Sequence, residues 1–312
     1  MAAHTPVGFI GLGTMGEPMA IVLRRAGLDV VGFDLRAETV ARLAREHGIR
    51  PAASAEEAVR GCPVVITMLP TSAHLEALLF GDWRAAAALR KGALLIDMSS
   101  GEPAATCAIG ERLAAAGVGM VDAPVSGNVT RARTGDLAIM LGGSAADCYR
   151  AEPVLDPLAR AIFRTGPLGS GQAMKALNNL ASAAGFWIAS EVLAIGSKLG
   201  LEPAVMLEVL NASTGANNST LNKFKPFVLS GSYQGNFLLQ LMVKDLGIAA
   251  RVAGDSGAFA PMAGEVLGHW RQALEALGPA ADHTEVARFV ADRSGASLQG
   301  ASAKAATPNS QP

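Results

Sequence analysis

Short apolar runs alternate with amphipathic stretches along the first half of the chain and then cease. Runs at 7–10, 29–34, 64–68, 93–97, 119–122, 137–141 and 161–164 read as strands. Several are nearly continuous in Val, Ile and Leu, as strands covered on both faces are. Between them, 15–26, 37–47, 102–116 and 145–155 have helical composition, and Ser54-Ala-Glu-Glu57 resembles a capping box opening another helix. This alternation predicts an α/β fold, a doubly wound and mainly parallel sheet.

Beyond Gly166-Pro-Leu-Gly-Ser-Gly171 no convincing strand remains. Residues 172–199 read as one long helix, stopped by Gly200 with Pro203 beyond, and 203–211, 238–254 and 261–277 read as further helices. The expected organisation is an α/β domain at 1–165, an all-helical domain at 166–296 opened by the long helix, and a flexible tail at 297–312.

Composition narrows the classes. The length of 312 residues suits two domains, and 26 basic against 27 acidic residues give a formal net charge of −1. Neither nucleic acid nor an anionic membrane is therefore expected as a partner. Cys62, Cys107 and Cys148 are odd in number and far apart, so each reads as a small buried hydrophobe. The histidines lack metal-ligand spacing: His74 falls in a helix, while His47, His269 and His283 sit in surface-like contexts. No metal and no catalytic histidine is expected. Residues 1–6 have neither a basic start nor an apolar stretch, which points to a cytoplasmic protein. The mean hydropathy of +0.30 raises the question of a membrane span. The best window, 176–196, contains Asn178, Asn179 and Glu191 and fails as a span of ~20 apolar residues.

The strongest chemical signal opens the chain. The first strand runs into Gly11-Leu-Gly-Thr-Met-Gly16, with Gly11, Gly13 and Gly16 at G-x-G-x-x-G spacing ahead of a helix. Such a turn lets backbone approach a pyrophosphate that faces the helix N-terminus. Asp34 ends the second run, about the ~20-residue offset at which a carboxylate grips an adenosine ribose. Gly11, Leu12, Gly13, Thr14, Met15, Gly16 and Asp34 thus form a candidate dinucleotide site. Asp34 favours NAD, since a carboxylate repels a 2′-phosphate, and Arg36 keeps NADP open.

Ligands in such sheets bind beyond the carboxyl ends of the strands. One end reads Met68-Leu-Pro-Thr71, another Asp97-Met-Ser-Ser100, where the hydroxyls serve a cofactor or cap the next helix. A third reads Asp122-Ala-Pro-Val-Ser-Gly127, an extended loop whose N–H groups and Ser126 hydroxyl suit a carboxylate. At the start of the long helix, Lys175, Asn178 and Asn179 share one face. A lysine there can exchange a proton with a hydroxyl or carbonyl, provided partial burial lowers its pKa. Lys244-Asp245 interrupts an apolar helix and reads equally as a surface ion pair or a site pair.

Together these segments resemble the β-hydroxyacid dehydrogenase family, which includes 3-hydroxyisobutyrate dehydrogenase and tartronate semialdehyde reductase. The similarity runs from Val7 to about Ala249 and is carried by 11–20, Ile66-Thr-Met-Leu-Pro70, Ile96-Asp-Met-Ser-Ser100, Asp122-Ala-Pro-Val-Ser-Gly127, Gly171-Gln-x-x-Lys-x-x-Asn-Asn179 and Lys244-Asp-Leu246. It implies a Rossmann-like first domain, an all-helical second domain and an active site in the cleft between them. By resemblance, Lys175 is the acid/base and Asn179 orients it and the substrate. Ser126 and Gly127 are implied to hold the substrate carboxylate, and Leu69, Pro70 and Ser100 to contact the cofactor; Asn128, beside that loop, and Asn178, on the face of Lys175, are added as substrate-binding candidates from their positions. Lys244 is implied beside both substrate and cofactor. A small carboxylate substrate and a homodimer or homotetramer built through the helical domain follow in the same way.

Two positions depart from the family pattern. Asn128 stands where a second glycine is common after Ser-Gly, adding a donor and acceptor beside Arg131 and Arg133, and Ser100 stands where threonine is common. Asparagine tolerates positive φ, so the turn is expected to survive. The expected function is hydride transfer between NAD and a small β-hydroxy acid or its semialdehyde. The rivals are imine reduction on the same scaffold, whose enzymes generally lack the lysine, and a non-catalytic dinucleotide-binding module.

Overall fold

In the computed structural model, residues 5–299 are described, and they divide into two units, the first ending at Lys175 and the second starting at Ala176. The first unit alternates β1 (Pro6–Ile10), α1 (Gly16–Arg25), β2 (Asp29–Phe33), α2 (Ala37–His47), β3 (Arg50–Pro51), α3 (Ala55–Val59), β4 (Val64–Thr67), α4 (Ser72–Phe80) and α5 (Ala85–Ala88). It continues with β5 (Leu94–Asp97), α6 (Pro103–Ala115), β6 (Gly119–Asp122), β7 (Val125–Ser126), α7 (Val129–Thr134), β8 (Leu137–Gly142), α8 (Ala145–Leu155) and β9 (Ala159–Gly166). The sheet order is β3-β2-β1-β4-β5-β6-β8-β7, with β9 also on β8. All pairings are parallel except β6–β8 and β7–β8. Chain order reverses direction at β1, whose neighbours are β2 and β4, so their carboxyl ends frame a switch point.

Alternate strand residues enter two cores. Val7, Phe9, Val30, Val64, Ile66, Leu94 and Ile96 pack on one face under α1, α2 and α8. Ile10, Val31, Phe33, Val65 and Leu95 pack on the other under α3, α4 and α6. Burial on both faces is why these strands read as unbroken apolar runs rather than alternating ones.

The second unit holds most of α9 (Ser170–Lys198), then α10 (Pro203–Ala212), a π-helical segment (Thr220–Leu229), α11 (Leu239–Ser256), α12 (Pro261–Leu277) and α13 (Val286–Ser294). Its core gathers Phe186, Leu193, Phe224, Leu246, Trp270 and Val290. By length and composition α9 is apolar enough to cross a membrane, contrary to the sequence reading of its middle. Ala183, Phe186, Ala189, Leu193 and Ala194 nevertheless bury one of its faces in the core of this unit, as in a core helix.

Several expectations shift. The division falls inside α9 rather than at 165/166, because the first turn of α9 is hydrogen-bonded into the sheet domain. Leu298 is buried in the second unit and the Ser197 hydroxyl donates to Ser297 O, so 297–299 are not tail. The rest of the expected tail, 300–312, lies outside the described residues. His283 is buried rather than surface-like. Its Nδ1 is 3.3 Å from Asp282 Oδ1, and its ring packs near Phe186 and Phe237. Cys107 is half-buried rather than buried, and its thiol donates to Leu168 O. The polar neighbours that made His283 look exposed are local, whereas its aromatic contacts come from distant chain.

Candidate functional site

At the switch point β1 ends against β2 and β4. Gly11 N–H donates to Phe33 O and Met68 N–H to Ile10 O, both at 2.9 Å. Gly11 has φ +95°, and a Cβ there would lie 2.3 Å from Met68 O. A Cβ on Gly16 would lie 1.8 Å from Gly11 O, so α1 can start this close to the loop only with glycine. At Gly13 an added Cβ would meet only the far end of Arg36, which leaves a bare backbone surface. This is a cradle of the kind a pyrophosphate fills.

Asp34 lies one residue past β2 rather than within it. Its Oδ2 accepts from Leu12 N–H at 2.8 Å and its Oδ1 from Arg36 N–H and Nε. Burial pushes its carboxyl up, but the Arg36 guanidinium and these N–H groups outweigh that and hold it below the usual range. Arg36 Nη2 also donates to Leu12 O, so one arginine bridges the acid and the glycine loop. Beside them a cavity of about 390 Å³ is lined by Thr14, Arg25, Arg36 and Arg133 among others. The residues present fit a nicotinamide dinucleotide.

The loops after β4 and β5 are tied together. Ser99, fully buried, accepts from Leu69 N–H at 2.8 Å, while Ser100 is half-buried and Pro70 exposed. Asp97 Oδ1 accepts from the Thr67 hydroxyl and from Ser99 N–H. Complete burial raises the Asp97 pKa to about 6, opposed in part by Ser99 and Thr67 and reinforced by Asp122. The Asp122 carboxyl is likewise raised by burial, against the N–H groups that it accepts. Both hydroxyls are candidates in the sequence, with Ser100 the one matched to a cofactor contact, and it is Ser99 that ties the two loops. Ser72 accepts from Glu102 N–H ahead of α6.

The segment after β6 corrects the reading of Asn128. It was expected to continue an extended loop and to test positive φ. Instead Asn128 has φ −95° and caps α7, its Oδ1 accepting from Arg131 N–H at 3.1 Å. The left-handed burden falls on Gly127 alone (φ +145°), where a Cβ would lie 2.7 Å from Leu137 Cδ2. Ser126 is half-buried at the end of β7, and Arg131 pairs with Asp136.

Lys175 is half-buried in α9, with Asn178 and Asn179 on the next turn. In the second unit Asn178 Nδ2 donates to Asn179 Oδ1, and Asn179 Nδ2 donates to Asp245 Oδ2 at 2.6 Å. Lys244 Nζ is 3.2 Å from Asp245 Oδ1. Asp245 is 3% exposed, so Lys244-Asp245 is no surface pair, and the acid, paired with Lys244 in the sequence reading but given no role of its own there, gathers Asn179 and Lys244. An ionisable residue inside the apolar run of α11 was the available signal.

Residues 6–166 match the family model described as the NAD binding domain of 6-phosphogluconate dehydrogenase, and 169–290 match that described as NAD-binding of NADP-dependent 3-hydroxyisobutyrate dehydrogenase. The chain belongs to the β-hydroxyacid dehydrogenase family. It is 42% identical over 252 residues to 3-hydroxyisobutyrate dehydrogenase of Pseudomonas aeruginosa, covering 78% of this chain and 84% of that enzyme. It is 37% identical over 276 residues to the NAD-dependent L-serine dehydrogenase of the same organism, covering 86% and 92%. Among solved structures, Mycobacterium tuberculosis 3-hydroxyisobutyrate dehydrogenase with L-serine has a TM-score of 0.84 at 32% identity, covering 92% and 99%. The chain is thus an oxidoreductase of this family with a nicotinamide-dinucleotide-binding domain.

Proposed function

We propose that this β-hydroxyacid dehydrogenase oxidises a small β-hydroxy acid of the 3-hydroxyisobutyrate or serine type, or reduces the matching semialdehyde, with Lys175 as general acid/base. The bound dinucleotide supplies or accepts the hydride at its nicotinamide. The observation that carries the reading is a half-buried lysine at the start of α9, followed one turn later by Asn179, itself held by Asp245. Lys175 takes the hydroxyl proton as the carbonyl forms and returns it in reduction, and Asn179 holds the oxygen in line with that exchange. Ser126 and the backbone N–H groups after it receive the substrate carboxylate. Lys244, turned by Asp245, adds positive charge near the same acid. Leu69, Pro70 and Ser100 line the nicotinamide end, while Gly11 to Gly16 and Asp34 hold the pyrophosphate and ribose.

NAD is the preferred cofactor in this reading, because Asp34 sets a carboxylate just past β2, tied to the glycine loop by Oδ2 and to Arg36 by Oδ1, where it would meet the ribose and repel a 2′-phosphate. The arginine-lined cavity beside Arg36 supports a second reading, acceptance of NADP. A homodimer or homotetramer through the second unit is proposed from Ile188, Val192 and Ile195, an exposed apolar stripe at helical spacing on α9 that Leu199 continues just past its end. Imine reduction is not favoured, given the lysine and the hydroxyacid dehydrogenases matched.

The test is a panel of small hydroxy acids, including 3-hydroxyisobutyrate, L-serine and L-threonate, with NAD and NADP, on the parent and on Lys175→Ala. The parent is expected to turn over at least one β-hydroxy acid, and the variant to lose about 10²–10⁴-fold in kcat. Equal turnover by both would remove Lys175 from the chemistry.

A further inference from the structure

The first turn of α9 does not end in solvent. Asp122, the last residue of β6, is fully buried, and its two oxygens accept from that turn: Oδ1 from Gly169 N–H at 2.8 Å and Oδ2 from Gln172 N–H at 2.7 Å. A helix start leaves N–H groups without partners, and here a carboxylate from another element takes them. The approach is tight. A Cβ on Gly171 would lie 2.3 Å from Met140 O and 2.8 Å from Asp122 Oδ2, and one on Gly142 would lie 2.5 Å from Asp122 Oδ1. The Ser170 hydroxyl adds a tie at 2.8 Å to that of Thr165.

Gln172, 1% exposed, makes the second connection. Its Oε1 accepts from Gly101 N–H and its Nε2 donates to Ser99 O, each at 2.8 Å. Both partners belong to the loop after β5, which also holds Leu69 through the Ser99 hydroxyl. Lys175 lies three residues after Gln172, the neighbouring position along the helix surface. The turn that carries the lysine is therefore bound at one point to the end of β6 and at another to the loops at the expected nicotinamide end.

We infer that Asp122 and Gln172 are positioning residues for the acid/base: they fix the height and rotation of the α9 turn that carries Lys175 relative to the loops holding Ser99 and Leu69. This rests on Lys175 being the acid/base. Neither side chain has a free face toward substrate, so each acts through the lysine. Displacement of a catalytic group by about 1 Å costs on the order of 10²-fold, which sets the scale of the effect.

A double-mutant cycle tests this on the full chain, with kcat measured on the best acid of the panel and cofactor affinity measured by fluorescence titration. Asp122→Asn keeps the shape but turns an amide toward N–H donors. It is expected to lower kcat about 10- to 100-fold while leaving the cofactor Kd within about twofold. In a Lys175→Ala background, with methylamine supplied as an untethered base, the same substitution is expected to cost no more than about twofold. An equal loss of kcat in both backgrounds, or no loss in the parent, would overturn the inference. Should Asp122→Asn fail to fold, Gln172→Glu, which sets an acceptor against Ser99 O, decides by the same comparison of kcat. If Lys175→Ala alone retains full turnover, the acid/base reading itself fails, an outcome distinct from equal costs in a cycle where Lys175→Ala is inactive.

Discussion

The Asn179 amide donates to Asp245 Oδ2 at 2.6 Å, and the other oxygen of the same carboxylate lies 3.2 Å from Lys244 Nζ. One buried acid thus sets the direction of two side chains from two helices. Asp245→Ala is expected to leave Asn179 and Lys244 unaligned and to lower kcat/KM about 10- to 100-fold. Steady-state kinetics check this, and a variant with parental kcat/KM would show that Asp245 does not serve the site.

Asp34 and Arg36 give a prediction on cofactor choice. Asp34→Ser removes the carboxylate from the end of β2 and frees Arg36, which now spends its Nε on that acid. The ratio of kcat/KM for NADP to that for NAD is expected to rise about tenfold or more, the value of one charge-assisted contact. Arg36→Ala is expected to lower kcat/KM for NADP more than for NAD. A parent that already prefers NADP strongly would reverse the assignment.

Asp97 gives a pH prediction with a definite sign. Burial pushes its folded pKa up to about 6, above the ordinary carboxylate value of about 3.9, so folding favours the protonated carboxyl. The stability it contributes is present in full below about pH 4 and is lost as pH rises through about 6. Against Asp97→Asn, which cannot ionise, the parent is expected to lose up to about 3 kcal/mol between those limits. Denaturant melts of both proteins at acid and neutral pH measure the change, and a difference independent of pH would contradict it.

Asn128 gives a prediction on stability. Because it caps α7 with φ −95° rather than occupying a left-handed position, Asn128→Ala is expected to cost about 1 kcal/mol and Asn128→Gly only a few tenths. Were Asn128 instead filling a glycine conformation, glycine there would stabilise. Thermal melts separate the two.

Gly16→Ala meets a different limit. The added methyl would lie 1.8 Å from Gly11 O, a backbone atom that cannot rotate away. A loss of about 1–3 kcal/mol or more is expected, together with loss of dinucleotide binding. Calorimetry and cofactor titration check both.

Much of this was legible in the residues themselves. The strands at β1, β2, β4, β5, β6 and β8 follow from unbroken apolar runs, and α2, α8 and α12 have the bounds that periodicity predicted. β3 and β7, of two residues each, were not legible, because pairing with an existing strand and not local composition makes them. Nor was α7, whose cap depends on the side-chain direction of Asn128.

The sequence by itself determined the α/β alternation, the glycine loop, Asp34 and the family, since these depend on residue type at short spacing. Which acid meets which donor was decided only by tertiary structure. Asp122 and Gln172 are 50 residues apart along the chain, and Asn179 and Asp245 are 66. No local pattern encodes such pairs: burial removes water as their alternative partner, so each must find the other once the strands and helices have packed.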